Sequence, residues 1–234
     1  SKGGNIVNVL NLKDEEITAF IPVDNFDDRF LVMATRNGLI KKTRLKDFSR
    51  PRNVGIIALK LRENDGLVNV ALTNGDRELV IATKNGMAVR FKEENVREMG
   101  RNAIGVRAVK LINDKVIGME VSDTATLLTI TENGYGKRSK LEDYRLIKRG
   151  GKGVRNIKTS DRNGKVVGTI VVQDDDDLIL MSQNGIVIRT KAKDISCIGR
   201  NTQGVRVMKL EEGDKVVSVA KIKSEEGTIG DEQA

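Results

Sequence analysis

Four segments of this chain carry one pattern: an apolar run, then Asn-Gly, then a basic strand. They are FLVMATRNGLIKKTR from Phe30, ELVIATKNGMAVRFK from Glu78, TLLTITENGYGKRSK from Thr126 and LILMSQNGIVIRTK from Leu178. Their turn glycines, Gly38, Gly86, Gly134 and Gly185, are 48, 48 and 51 residues apart. Asn-Gly between two β-rich runs is a strong hairpin signal, and it predicts a type I′ turn with positive φ at both central residues. A second glycine follows each hairpin, at Gly55, Gly105, Gly153 and Gly204, which lie 17, 19, 19 and 19 residues after the turn glycines. Each opens an expected strand pair, such as GVRAVKL followed by VIGMEV. Segments such as LEDYRLIKR, between hairpin and second glycine, read as loop with room for one helical turn.

Four short strands in about fifty residues describe a blade of a propeller-like, all-β repeat domain. One blade cannot bury both faces, so neighbours must stack. The expected division is a half repeat over 1–28, repeats over about 29–76, 77–124, 125–176 and 177–222, and a polar acidic tail over 223–234 that reads as disordered. The half repeat has no hairpin before it, so the chain reads as part of a longer protein. The chain has no Trp and only 3% aromatic residues, so its core must be built from Val, Ile and Leu.

Lys and Arg outnumber Asp and Glu by 41 to 33, for a net charge of +8, which favours a polyanionic partner. There is no His, which removes the commonest general base and metal ligand. The single cysteine, Cys197, allows no internal disulfide and reads as a small buried residue in a reducing compartment. No apolar run approaches the ~20 residues of a membrane helix, so no membrane partner is expected and the cytoplasm is the default. No nucleophile stands beside a base, so no catalytic residue is assigned. The Asp174–Asp177 run lacks the alternating ligands and glycine of a calcium loop, so no metal site is assigned.

The charges recur by position. Lys42, Arg90, Arg138 and Arg189 stand four residues past the turn glycines, and Arg44, Lys92, Lys140 and Lys191 stand six past them. Spacing of two puts each pair on one strand face. Arg101, Arg149 and Arg200 lie four before the second glycine, and Arg107, Arg155 and Arg206 two after it. Lys60, Lys110, Lys158 and Lys209 lie five after it. The links between repeats are acidic or polar, as in Asp24–Asp28 and Asp174–Asp177. Stacked blades would place these sets on separate edges, one a basic belt along which DNA phosphates could run. The competing reading is solubilising charge, since Lys on an exposed strand also discourages edge pairing.

The string Lys148-Arg149-Gly150-Gly151-Lys152-Gly153, with TENGYGKRS, ATKNGMAVRFK and IGRNTQGV, resembles the C-terminal domain of DNA gyrase A over about Gly4 to Ile222. The resemblance implies a β-pinwheel whose blades exchange strands and whose basic rim wraps duplex DNA without reading its sequence, in support of negative supercoiling. Lys148, Arg149, Gly150, Gly151, Lys152 and Gly153 match that family's basic box. Ile147 stands where the box opens with Gln, and the box lies in a late repeat where the family has it in the first blade. The implied partners are double-stranded DNA, the remainder of gyrase A, and gyrase B. No cofactor is implied in this chain; ATP and Mg would serve other domains of the parent type II topoisomerase. The alternatives are the topoisomerase IV counterpart, which binds DNA with little wrapping, and a propeller that serves as a protein-interaction platform.

Overall fold

The structure is a computed structural model, and it describes residues 17–52, 55–122 and 126–222. The expected acidic tail and most of the half repeat lie outside the described residues. Residues 17–29 contain no strand. From there the chain is all-β, with fifteen short strands: β1 (Phe30–Thr35), β2 (Leu39–Arg44), β3 (Leu67–Thr73), β4 (Glu78–Thr83), β5 (Met87–Lys92), β6 (Val106–Arg107), β7 (Val116–Ser122), β8 (Thr126–Thr131), β9 (Tyr135–Lys140), β10 (Val154–Arg155), β11 (Val166–Val172), β12 (Asp177–Ser182), β13 (Val187–Lys191), β14 (Val205–Arg206) and β15 (Val216–Ile222).

They form four antiparallel sheets, ordered β3-β1-β2-β6, β10-β5-β4-β7, β11-β8-β9-β14 and β13-β12-β15. Each Asn-Gly segment makes the hairpin of one sheet, central in the first three and with β13 at the edge in the fourth. The inner neighbours β3, β7, β11 and β15 pack side by side around a shared hub. The opposite edge is supplied by the following repeat: β6 pairs with β2, β10 with β5 and β14 with β9. These exchanged strands are two residues long, shorter than the strands expected at GVRAVKL and its equivalents. Residues 56–61, where GIIALKL was expected to open a strand pair, form none.

The hairpin turns also differ from expectation. Arg36, Asn37 and Gly38 form a three-residue loop in which Gly38 N–H donates to the Thr35 carbonyl at 3.0 Å. Gly38 alone takes positive φ, at +82°, and Asn37, Asn85, Asn133 and Asn184 do not. This is a type I turn closed by a glycine bulge, not type I′. The asparagine is held from outside. Asn37 N–H donates to Asp65 Oδ1 at 2.9 Å, and Asn85 and Asn184 donate likewise to Asp114 and Asp214 at 2.9 and 3.1 Å. Those aspartates precede β3, β7 and β15, so three hairpin tips are tied to the start of their own inner strands, while Asn133 N–H of the third hairpin donates to the Asn163 carbonyl at 3.3 Å.

The core follows the strand period of two. Leu79 and Ile81 of β4 face the first sheet and pack with Val32, Ala34 and Ile40. Val80, between them, faces the third sheet with Leu127, Leu141 and Tyr144. Each sheet therefore seals two interfaces, which is why no blade folds alone. Glycine is essential where repeats cross. Gly153 has φ +77°, and a Cβ there would collide with the Ala88 carbonyl of the preceding sheet.

Candidate nucleic-acid interface

The basic row four residues past the turn glycines faces into the protein. Arg90 donates to the carbonyls of Leu141 at 2.6 Å and Tyr144 at 3.2 Å in the next repeat, and pairs with Glu78. Arg138 is 6% exposed, donates to the Ile195 carbonyl at 2.9 Å, and pairs with Asp174. Lys42 is buried, with its ammonium 5.1 Å from the Phe30 ring centre, and donates to the Glu93 carbonyl of the next repeat at 3.5 Å. Arg189, at the last hairpin, is exposed and bound to Asp177 at 2.9 Å. Three of these four cations are thus fasteners between consecutive sheets.

The row six past the turn glycines is exposed or half-exposed but stands among carboxylates. Arg44 pairs with Glu98, Lys92 with Glu94 at 3.8 Å, Lys140 with Glu142 at 3.5 Å, and Lys191 with Asp177 at 2.8 Å. Arg189 and Lys191 together hold the Asp177 carboxyl down to about 2. The expected separation into a basic and an acidic edge therefore fails for these two rows. Two arrangements are responsible: the antiparallel register sets Glu78 directly opposite Lys92 and Asp177 opposite Lys191, and Glu94 and Glu142 follow two residues after Lys92 and Lys140. The acidic links and the hairpin's basic end share one edge of the blade.

The row before the second glycine ties one outer strand to the next. Arg149 donates to the carbonyls of Asn95 at 2.7 Å and Arg107 at 2.9 Å. Arg200 donates to the Arg155 carbonyl at 2.7 Å, and Arg101 reaches the Ile57 carbonyl at 3.4 Å. Backbone bonds run the same way. Gly150 N–H donates to Ala108 O at 2.6 Å, Lys110 N–H to Gly151 O and Lys158 N–H to Thr202 O, both at 2.8 Å. The Arg149-Gly150-Gly151 string thus lies along the preceding repeat's outer segment, and its glycines allow that backbone-to-backbone approach.

What stands clear of carboxylates is a third set, on the outermost strands and just beyond them. Arg107, Arg155 and Arg206 sit on β6, β10 and β14 with exposed side chains, followed by exposed Lys110, Lys158 and Lys209. Lys60, Lys148 and Lys152 are exposed as well. None of these nine forms an ion pair among the described residues. They recur from sheet to sheet on the edge opposite the hub, along a line that the arginine ties make continuous.

Sequence reading missed two supports of this edge, Lys41 and Lys137. Both are buried to 0% exposure three residues past a turn glycine, where the other two hairpins have Val89 and Ile188. Lys137 Nζ donates to Gly199 O at 3.0 Å, Arg200 O at 3.1 Å and Ser139 Oγ at 2.7 Å. Lys41 Nζ donates to Ala58 O at 2.6 Å and to Arg101 O. Burial, followed by the charge of Arg200 or Arg101, holds each ammonium down to about 8. Their recurrence only in alternate repeats was the one available signal. Cys197, expected to be buried, is exposed, and its backbone bridges to Arg138.

Fold and surface together define a strand-exchanged, bladed β domain with a basic outer edge. A family model described as DNA gyrase C-terminal domain, beta-propeller, matches residues 29–74, 77–123, 125–173 and 176–223. The chain belongs to that family. It is 43% identical over 226 residues to gyrase A of Salmonella typhimurium, covering 95% of this chain and 26% of that protein. It is 40% identical over 254 residues to gyrase A of Haemophilus influenzae, covering 95% of this chain and 29% of that protein. The chain thus spans less than a third of either relative. Among solved structures it is similar to a DNA topoisomerase IV C-terminal domain, with a TM-score of 0.89, 31% identity, and coverage of 95% of this chain and 71% of that one. It is also similar to a DNA gyrase A C-terminal domain, with a TM-score of 0.85, 30% identity, and coverage of 95% and 76%. Among the described residues, no helix is long and apolar enough to cross a membrane, and no three His, Cys, Asp or Glu residues are grouped to hold a metal ion.

Proposed function

We propose that this domain binds duplex DNA along its outer edge and bends it around the blades, as the DNA-holding part of a cytoplasmic DNA gyrase. The observation that carries the reading is the repeated set of exposed cations on β6, β10 and β14 and just beyond them, which have no carboxylate partner among the described residues. Cations at blade-to-blade intervals meet phosphates and not bases, so binding is insensitive to sequence. If on the order of 8 phosphates are neutralised, log affinity falls with log salt at a slope near −7. Bending a 20–30 bp site by 40–90° costs of order 1–6 kcal/mol, which a continuous row can offset and one patch cannot. The outer-strand ties matter here, because they fix the spacing of the cations before DNA arrives.

In this reading the chain supplies no catalytic group. Strand cleavage and the use of ATP and Mg belong to the remainder of gyrase A and to gyrase B, its proposed partners. Religating a nicked plasmid around the domain tests wrapping: a positive linking shift supports it. The TM-score of 0.89 to the topoisomerase IV domain favours a second reading, DNA binding with little wrapping. DNA affinity without a linking shift would select that reading.

A further inference from the structure

On the outer edge of the third sheet two arginines converge on one phenol. Arg206 of β14 is in register opposite Tyr135 of β9. Its guanidinium donates to the Tyr135 hydroxyl oxygen at 3.1 Å and lies 5.6 Å from the ring centre. Arg162, from the loop between β10 and β11, covers the same ring at 4.9 Å and donates to Gln203 Oε1 at 3.4 Å. Neither guanidinium has a carboxylate partner among the described residues. The three side chains line a hollow of about 330 Å³, together with Lys209, Glu211 and Asp214. The Asp214 carboxylate is turned onto the backbone N–H groups of Asn184 at 3.1 Å and Lys215 at 2.8 Å.

The other sheets lack this arrangement. Leu39 stands opposite Arg107 and Met87 opposite Arg155, so neither offers a hydroxyl. Their hairpin tips are met by Asn64 and Asn113, where the third is met by the carbonyls of Asp161 and Arg162. The chemistry of the hollow suits a phosphate. Because the phenol oxygen accepts from Arg206, its own O–H is left to donate outward. Two guanidiniums carry further N–H donors beside it.

We propose that Tyr135, Arg162 and Arg206 form a phosphate-holding pocket that grips one phosphodiester of DNA lying on the outer edge and so fixes where the duplex sits on the third sheet. The proposal rests on the DNA-binding reading and adds an anchor to it. Arg162 and Arg206 also hold the phenol below its usual pKa, which strengthens it as a donor.

The chain has two tyrosines, so incorporating 3-fluorotyrosine yields two fluorine resonances, and Tyr135→Phe assigns them. With a 40 bp duplex at 50 mM salt, the Tyr135 signal should shift and the Tyr144 signal should not. Arg162→Ala should abolish the shift, weaken DNA binding about 3- to 10-fold and reduce the salt slope by about one, as expected for one lost phosphate contact. Arg162→Lys should restore most of the affinity. Arg162 is exposed, so both variants should melt with the parent. A shift with 10 mM inorganic phosphate as well would assign the pocket to the phosphate group; a shift with DNA alone would assign it to the polymer. Normal affinity and slope in Arg162→Ala, with Tyr135 still responding, would overturn the pocket and leave the edge reading standing. A duplex that does not bind the parent chain would remove both.

Discussion

Replacing Arg138 with alanine should unfold the domain more easily without weakening its grip on DNA. The side chain is 6% exposed, and its Nε reaches the Ile195 carbonyl of the next repeat at 2.9 Å. Truncation leaves that carbonyl without its charged donor, at a cost of about 1–3 kcal/mol. Loss of the buried stem beyond Cβ, two methylenes at about 0.8 kcal/mol each, adds about 1.6 kcal/mol. The pair with Asp174 contributes little, at most about 1 kcal/mol, because Asp174 is 73% exposed. The expected loss is about 4 kcal/mol. For a chain of this size that lowers Tm by about 8–16 °C. Arg138→Met keeps the stem and should lose about half as much. Thermal unfolding followed by circular dichroism measures the first effect, and fluorescence anisotropy with a labelled duplex at 25 °C measures the second. A Tm drop under 2 °C, or a DNA defect larger than that of Arg107→Ala, would refute the division of labour between inward and outward arginines.

Paired glycine variants separate backbone conformation from crowding. Gly185 and Gly134 both have positive φ, at +85° and +79°, but a Cβ meets nothing within 4 Å at Gly185 and collides with the Met208 carbonyl at Gly134. Gly185→Ala should therefore cost only the left-handed penalty of about 1–2 kcal/mol, while Gly134→Ala should cost clearly more, as read by urea unfolding. Lys137 gives a pH dependence. Its folded ammonium is held to about 8 against the ordinary 10.5, so between those values the unfolded chain keeps a proton that the folded chain has released. Stability should then rise with pH from 8 to 10.5, by on the order of 3 kcal/mol for this group, and Lys137→Met should remove that part of the rise in denaturant unfolding at pH 7, 9 and 10, leaving the part due to Lys41. Glu120 runs the other way: burial raises its carboxyl to about 7. Its contribution should be complete below pH 4.5 and fade toward pH 7, and Glu120→Gln should remove that slope.

The repeat and its hairpins were legible because their signals are local: Asn-Gly punctuation, period-two apolar runs and a glycine at constant spacing. The turn type was not. The asparagine is held by groups about 29 residues away, Asp65, Asp114 and Asp214 in three hairpins and the Asn163 carbonyl in the other. Strand exchange followed from the family resemblance and not from pattern, since a two-residue strand such as β6 leaves no periodicity to read. The roles of the basic rows were the hardest to assign. Arg90, Arg138 and Arg155 look alike in sequence, yet the first two donate to carbonyls 51 and 57 residues downstream, while the third stands exposed on an edge strand. Recurrence identifies a position in the blade; only packing says which way that position faces.

Salt dependence of duplex binding by the Arg107→Ala/Arg155→Ala/Arg206→Ala variant, titrated from 50 to 200 mM beside the parent chain, goes straight to the outer edge. Three phosphate contacts removed should move the log–log slope from near −7 to near −4, with only a small fall in melting temperature, from the lost contact of Arg206 with the Tyr135 hydroxyl. A variant that keeps the parent slope would mean that DNA runs elsewhere on the domain.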